Sequence, residues 1–207
     1  MTKEDKKERE REEMRRLIIE TAGDFIAVDG IEKLSIRKLA RQIGYSPGII
    51  YHYFEGKEEI IEQVLQKGYQ EMVSGIRSAQ HELPVSQPDE ILKGSLLQFI
   101  RGALAQGSQY RNVMLNDSPA VLSQTSVLFK GAALERNALG MLCRTLKLYP
   151  HLQNQDETYI ERTAQIIWSS AFGLIMRLSV EHDLPDEQRE ALVSHYLDSM
   201  VKLAGCI

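Results

Sequence analysis

Apolar residues return every three or four positions along nearly the whole of this chain, and almost no stretch alternates with the two-residue period of a strand. That pattern restricts the fold to packed helices. Glycine and proline cut the pattern into pieces. The first helix spans 3–29, with Met14, Leu17, Ile18, Thr21, Phe25 and Val28 on one stripe and Gly30 as its stop. Two short helices follow at 35–43 and 46–53, separated by Gly44 and Tyr45. Further helices are expected at 57 to about 80, 89–107, 110–115, 124–149, 157–181 and 185–204. Pro84 and Pro88 mark a linker, and Pro150 stops the helix before it. The expectation is an all-α protein of about nine helices. Residues 1–56 form an N-terminal three-helix domain, a helix from 57 to about 80 links it onward, and 81–207 form a larger C-terminal helical domain.

Composition removes several classes of function. Apolar residues make up 43% of the 207 residues and charged ones 26%, which suits a globular protein with a buried core. The net charge is −4, but it is unevenly placed. Residues 33–57 carry Lys33, Arg37, Lys38, Arg41 and Lys57 against Glu55 alone, a local surplus of four positive charges on an acidic body. A compact basic patch of this kind is the footprint of a nucleic-acid-binding module. The two cysteines, Cys143 and Cys206, form no C-x-x-C pair, so neither a zinc site nor a disulfide scaffold is expected, and a reducing cytoplasm fits. The charged start, MTKEDKKEREREEMRR, is no signal peptide. The longest apolar candidate, 166–178, contains Ser169, Ser170 and Arg177, so no membrane span is expected. The five histidines, His52, His81, His151, His182 and His195, are scattered without metal-ligand spacing. There is no Gly-rich phosphate loop, G-x-S-x-G elbow or H-E-x-x-H, and Asp117-Ser118 is no triad signal. An enzyme is not expected, nor a cofactor or metal. A helical protein-interaction module without DNA binding is the alternative, which salt-sensitive DNA affinity would exclude.

The chemistry concentrates in SIRKLARQI-GY-SPGIIYHYF. Two short helices joined by a glycine turn are the minimum for reading DNA. Ala40 is small where the two helices would cross, and Gly44 can take a positive φ. Pro47 stands at a first helical position, where its missing N–H costs nothing. Ile49 and Ile50 offer at least one anchor to the core and leave Pro47, Gly48, His52 and either Tyr51 or Tyr53 for the other face. Lys57 begins the next helix, where free N–H groups and the dipole favour a phosphate. Taken singly, Arg37 and Lys38 would read as a solvated face, His52 as a surface histidine and Phe54 as core.

The stretch GIEKLSIRKLARQIGYSPGIIYHYFEGKEEIIEQVL resembles the DNA-binding domain of TetR/AcrR-family transcriptional regulators, closely over about residues 12–60. The resemblance implies that the second short helix enters a major groove. It places Arg37 at a base-contacting position and Pro47, Gly48 and His52 at or near base edges. It places Ser35, Ser46, Tyr51, Tyr53 and Lys57 at phosphates. With so little side chain on Pro47-Gly48, direct readout rests on Arg37 and His52.

The C-terminal half resembles the family more loosely. Trp168-Ser-Ser-Ala-Phe172-Gly173-Leu174 is similar to a Trp-x-x-x-His-Gly-Leu element of some members, with Phe172 in the histidine's place. The resemblance implies a homodimer through helices 157–181 and 186–204, double-stranded palindromic operator DNA as partner, and a small-molecule effector. The stripe Ile160, Ala164, Ile167, Ala171, Leu174 and Leu178 permits a dimer face on one helix, and Leu192, Tyr196, Met200 and Leu203 on the other; the alternative is that both stripes serve only the core of one chain. Phe99, Tyr110, Met114, Phe129, Trp168, Phe172 and Met176 are the candidate effector contacts, with Arg101 or Arg177 as polar anchors. Aromatic and methionine side chains suit a mostly apolar molecule. The expected function is repression relieved by that ligand.

Overall fold

The computed structural model of the chain describes residues 3–81, 83–181 and 183–206; His182 lies outside them. Among the described residues there are eleven helices and no strand. They are α1 (Lys3–Asp29), α2 (Ile36–Gln42), α3 (Pro47–Tyr53), α4 (Lys57–His81), α5 (Pro88–Ala105), α6 (Ser108–Met114), α7 (Pro119–Thr125), α8 (Ala132–Glu135), α9 (Asn137–Leu146), α10 (Glu157–Val180) and α11 (Asp186–Cys206).

The all-α expectation holds, but the count of nine does not. The helix expected over 124–149 is broken twice. Gly131 takes a left-handed φ of +88°, and Arg136 is extended at φ −109°, ψ 96°. A buried carboxylate stabilises the break: Glu161 of α10 accepts the N–H of Gly131 and of Ala133, each at 2.9 Å. Periodicity registers apolar spacing and not the donors that hold such a corner. At Gly140 a side chain would stand 2.5 Å from the Ala133 carbonyl oxygen, so only glycine lets α9 fold back so closely. The additional helix α7 follows a local turn in which the Asn116 side-chain oxygen accepts from the Ser118 N–H at 3.0 Å.

The chain divides into two compact units: Met1–Tyr69 with Gly107–Thr125, and Gln70–Gln106 with Ser126–Ile207. The core of the first is built from Ile18, Ala22 and Ile26 of α1, Leu39 and Ala40 of α2, Ile50 of α3, and Ile60, Ile61 and Val64 of α4. Val113 of α6 and Val121 of α7 join it. The side chain of Asn112 on α6 donates to the carbonyls of Ile26 and Ala27 at 2.9 and 3.2 Å, and so adds to the Gly30 N–H that also caps Ile26 at the end of α1.

In the second unit, α5, α9 and α10 bury long aliphatic stripes, including Leu92, Leu96 and Ile100, then Leu139, Leu142 and Leu146, then Ile160, Ile167 and Ile175. Phe99 and Trp168 stack at 4.1 Å between ring centres. Ile160, Ala164, Ile167, Ala171 and Leu178, expected to face a second copy, are instead buried in this unit. Helix α11 packs against α5 and reaches α10 through side chains: the Tyr196 hydroxyl donates to the Ile167 carbonyl at 3.1 Å and sits 2.9 Å from the Ser170 hydroxyl. The outward face of α10 is another stripe, with Tyr159, Ile166, Gly173 and Val180 exposed at seven-residue intervals.

Candidate nucleic-acid interface

Helix α2 begins at Ser35, whose extended backbone and hydroxyl cap the helix: Oγ accepts the Lys38 N–H at 3.3 Å. Its inner residues, Leu39 and Ala40, are fully buried. The turn after it is a Schellman motif. Gly44 stands at φ +76°, the Tyr45 N–H donates to the Ala40 carbonyl at 2.9 Å, and the Gly44 N–H donates to Arg41 at 3.3 Å. This fixes the angle at which α3 leaves.

Ser46 opens α3 with an extended backbone and no side-chain cap bond, and Pro47 follows at the first helical position. Ile50 points inward and is 0% exposed, with Ile49 half-buried. Pro47, Gly48, Tyr51 and His52 are exposed, Tyr51 at 59%. Ile50 therefore turns the face of Pro47, Gly48, Tyr51 and His52 to solvent. Tyr53 is half-buried, with its ring edge-on to His52 at 5.2 Å. At Gly48 a side chain would meet only the Ser46 hydroxyl, at 3.7 Å, so the surface there is open.

Cations flank this face. Arg37 and Arg41 stand one turn apart on α2, both exposed. Lys57 starts α4, and its ammonium reaches the Glu32 carbonyl at 3.5 Å. Lys38 reaches the Lys33 carbonyl at 3.4 Å and lies 5.4 Å from the Phe25 ring centre.

Two supporting residues escaped the sequence reading. Arg15 of α1 donates to the Tyr53 carbonyl, pairs with Glu59 of α4 at 3.3 Å and lies 4.2 Å over the Phe54 ring. Glu59 also accepts the Glu55 N–H at 2.7 Å. Together they fasten the end of α3 to α1 and α4. Glu59, a carboxylate in the first turn after Gly56, carried a capping signal; Arg15 carried none.

Residues 18–64, the span that contains this face, match the family described as bacterial regulatory proteins, tetR family. The chain carries that family's DNA-binding domain. The TetR-type regulator HTH-type transcriptional regulator BetI 2 of Chromohalobacter salexigens is 23% identical over 185 residues, covering 86% of this chain and 83% of that protein. Among solved structures, the fatty acid degradation regulator FadR from Bacillus halodurans superposes with a TM-score of 0.64 at 21% identity, covering 90% of this chain and 94% of the other. A bacterial regulatory protein of the tetR family from Rhodococcus RHA1 gives 0.65 at 16% identity, over 93% and 97%. These likenesses extend the TetR fold over nearly the whole chain. The relatives are transcription regulators, and residues 18–64 of this chain match the DNA-binding domain of such regulators. No helix among the described residues is long and apolar enough to cross a membrane.

The expected effector contacts are distributed through the TetR fold. Phe99 and Trp168 are buried against each other, and Phe129, Phe172 and Met176 of the same unit are half-buried. Tyr110 and Met114 belong to the first unit, on α6. Tyr110 is buried with no hydrogen-bond partner for its hydroxyl among the described residues, and burial raises its pKa far above the ordinary phenol range. Of the proposed anchors, Arg177 is paired with Glu181 one turn on, Nε to Oε1 2.8 Å, and Arg101 is exposed.

Proposed function

We propose that this TetR-family chain is a repressor that binds a palindromic operator as a homodimer and leaves it when a small molecule binds. The observation that carries the reading is the outward face of α3, flanked by Arg37, Arg41 and Lys57, with Ile50 turned into the core beneath it. On this reading α3 lies in the major groove. Arg37 and His52 contact base edges, with Pro47 and Gly48 close against them. Ser46, Tyr51, Tyr53 and Lys57 contact phosphates, as does the Ser35 hydroxyl, whose proton is still free to donate.

Two-fold DNA calls for a two-fold protein. The outward stripe of α10 supports this, since Ile166 is 65% exposed and Gly173 has no neighbour within 4 Å of where its side chain would be. With Leu192 and Leu203 of α11, also exposed, it offers an apolar two-helix face for a second copy. The effector is a small and mostly apolar molecule taken by the second unit, a reading supported by its half-buried Phe129, Phe172 and Met176. Selection from a random duplex library by the purified chain tests the whole reading. Enrichment of an inverted repeat with half-sites about one turn apart is expected; recovery of unselected sequence, or no retention at low salt, overturns it.

A further inference from the structure

The second unit contains a cavity of about 300 Å³ between the last turns of α4 and one face of α9. Arg77, Gln80 and His81 line it from α4; Asn137, Met141 and Arg144 line it from α9. On α4 the spacing is i, i+3, i+4, and on α9 it is i, i+4, i+7, so each helix turns a single stripe toward the same space. Five of the six lining side chains are polar, and none is acidic.

Among the described residues, no ion pair neutralises the arginines of this cavity. Neither Arg77 nor Arg144 has an ion-pair partner among the described residues, whereas the neighbouring Lys147 is taken by Glu157. The guanidinium-bearing residues are exposed, so keeping them charged costs little desolvation. The wall behind them is fixed. The Gln80 amide donates to two buried hydroxyls, Ser95 Oγ at 3.0 Å and Thr145 Oγ1 at 3.2 Å, and Thr145 donates to the Met141 carbonyl at 3.1 Å. That network ties α4, α5 and α9 together and so fixes the two helices that carry the arginines before any ligand arrives.

Two unneutralised planar guanidinium groups, beside amide donors and an imidazole, match the geometry of a carboxylate or phosphate. We infer that this cavity binds the oxyanion of a small molecule, held between Arg77 and Arg144. The inference rests on the reading of the second unit as an effector domain, and it gives that effector an acidic group beside its apolar part.

The test is a calorimetric titration of the full chain without DNA. Inorganic phosphate and acetate are the separate probes, at constant ionic strength and up to about 10 mM. Saturable binding of at least one anion at one per chain is expected, and the tighter of the two assigns the group as phosphate or carboxylate. Arg77→Gln and Arg144→Gln should each weaken it about ten-fold or more, with Arg144→Lys intermediate. Asn137→Asp, an exposed change that adds a negative charge at the rim, should weaken it likewise even if an arginine variant loses helicity. No saturable heat with either probe, or undiminished binding in the double glutamine variant, overturns the inference. Because no DNA is present, failure here leaves operator binding standing, and failure of operator selection leaves this result standing.

Discussion

The guanidinium of Arg15 and the carboxylate of Glu59 meet at 3.3 Å, both half-buried, and each also grips the backbone around the end of α3. Neither belongs to the outward face. Arg15→Ala is expected to cost about 1–2 kcal/mol in urea unfolding, more than a surface pair because a hydrogen bond to a backbone carbonyl and the packing on Phe54 go with it. Operator affinity should fall as well, since the end of α3 loses its tether. Unchanged affinity in a destabilised Arg15→Ala would assign the clamp to stability alone.

Arg37→Ala separates base recognition from phosphate recognition. Loss of about 1–3 kcal/mol on the selected operator, with little change on unrelated duplex, is expected of a side chain that reads a base. Equal loss on both would move Arg37 to the phosphate set. Lys57→Ala should weaken both duplexes and make the salt dependence shallower by about one unit, the share of a single phosphate. Retardation across a salt series reads both outcomes.

Gly44 and Gly48 should respond oppositely. Gly44 sits at φ +76°, so Gly44→Ala is expected to destabilise by about 1 kcal/mol or more. Gly48 is helical and open, so Gly48→Ala should stabilise by up to about 1 kcal/mol while altering operator preference. Urea midpoints of the two variants decide it.

Glu161 holds two N–H groups at the corner before α9. Glu161→Ala leaves both without their acceptor and should cost about 3 kcal/mol, seen as a lower thermal midpoint. A loss below about 1 kcal/mol would mean that water replaces the carboxylate.

The two cysteines should label at different rates. Burial pushes the Cys143 thiol up to about 11, with the nearby carboxylates of Glu161 and Glu157 adding to it. At pH 8 only about one thiol in a thousand is then thiolate, the form that alkylates. Iodoacetamide should therefore modify the exposed Cys206 first, and Cys143 should respond only as the pH approaches 11. Equal rates at pH 8 would contradict the burial of Cys143.

The local features were legible in the chain because each is set by a few neighbouring residues. Ser35 and Ser46 mark helix starts, Gly44 the turn, and a lone buried Ile50 the rotation of α3, so the face proposed to read DNA could be drawn from 35–57 alone. What only the tertiary structure decided involves partners far apart in sequence. Periodicity shows that α10 has an apolar stripe but not which body covers it; packing placed Ile160 and Ile167 inside and left Ile166 outside. The break at Gly131 depends on a carboxylate 30 positions away, the Arg15 clamp on one 44 away, and the cationic cavity on stripes of α4 and α9 that meet only after folding. A helix records its own caps and faces in its sequence, whereas the pairing of charges across helices exists only once chain entropy has been overcome and the core has brought them together.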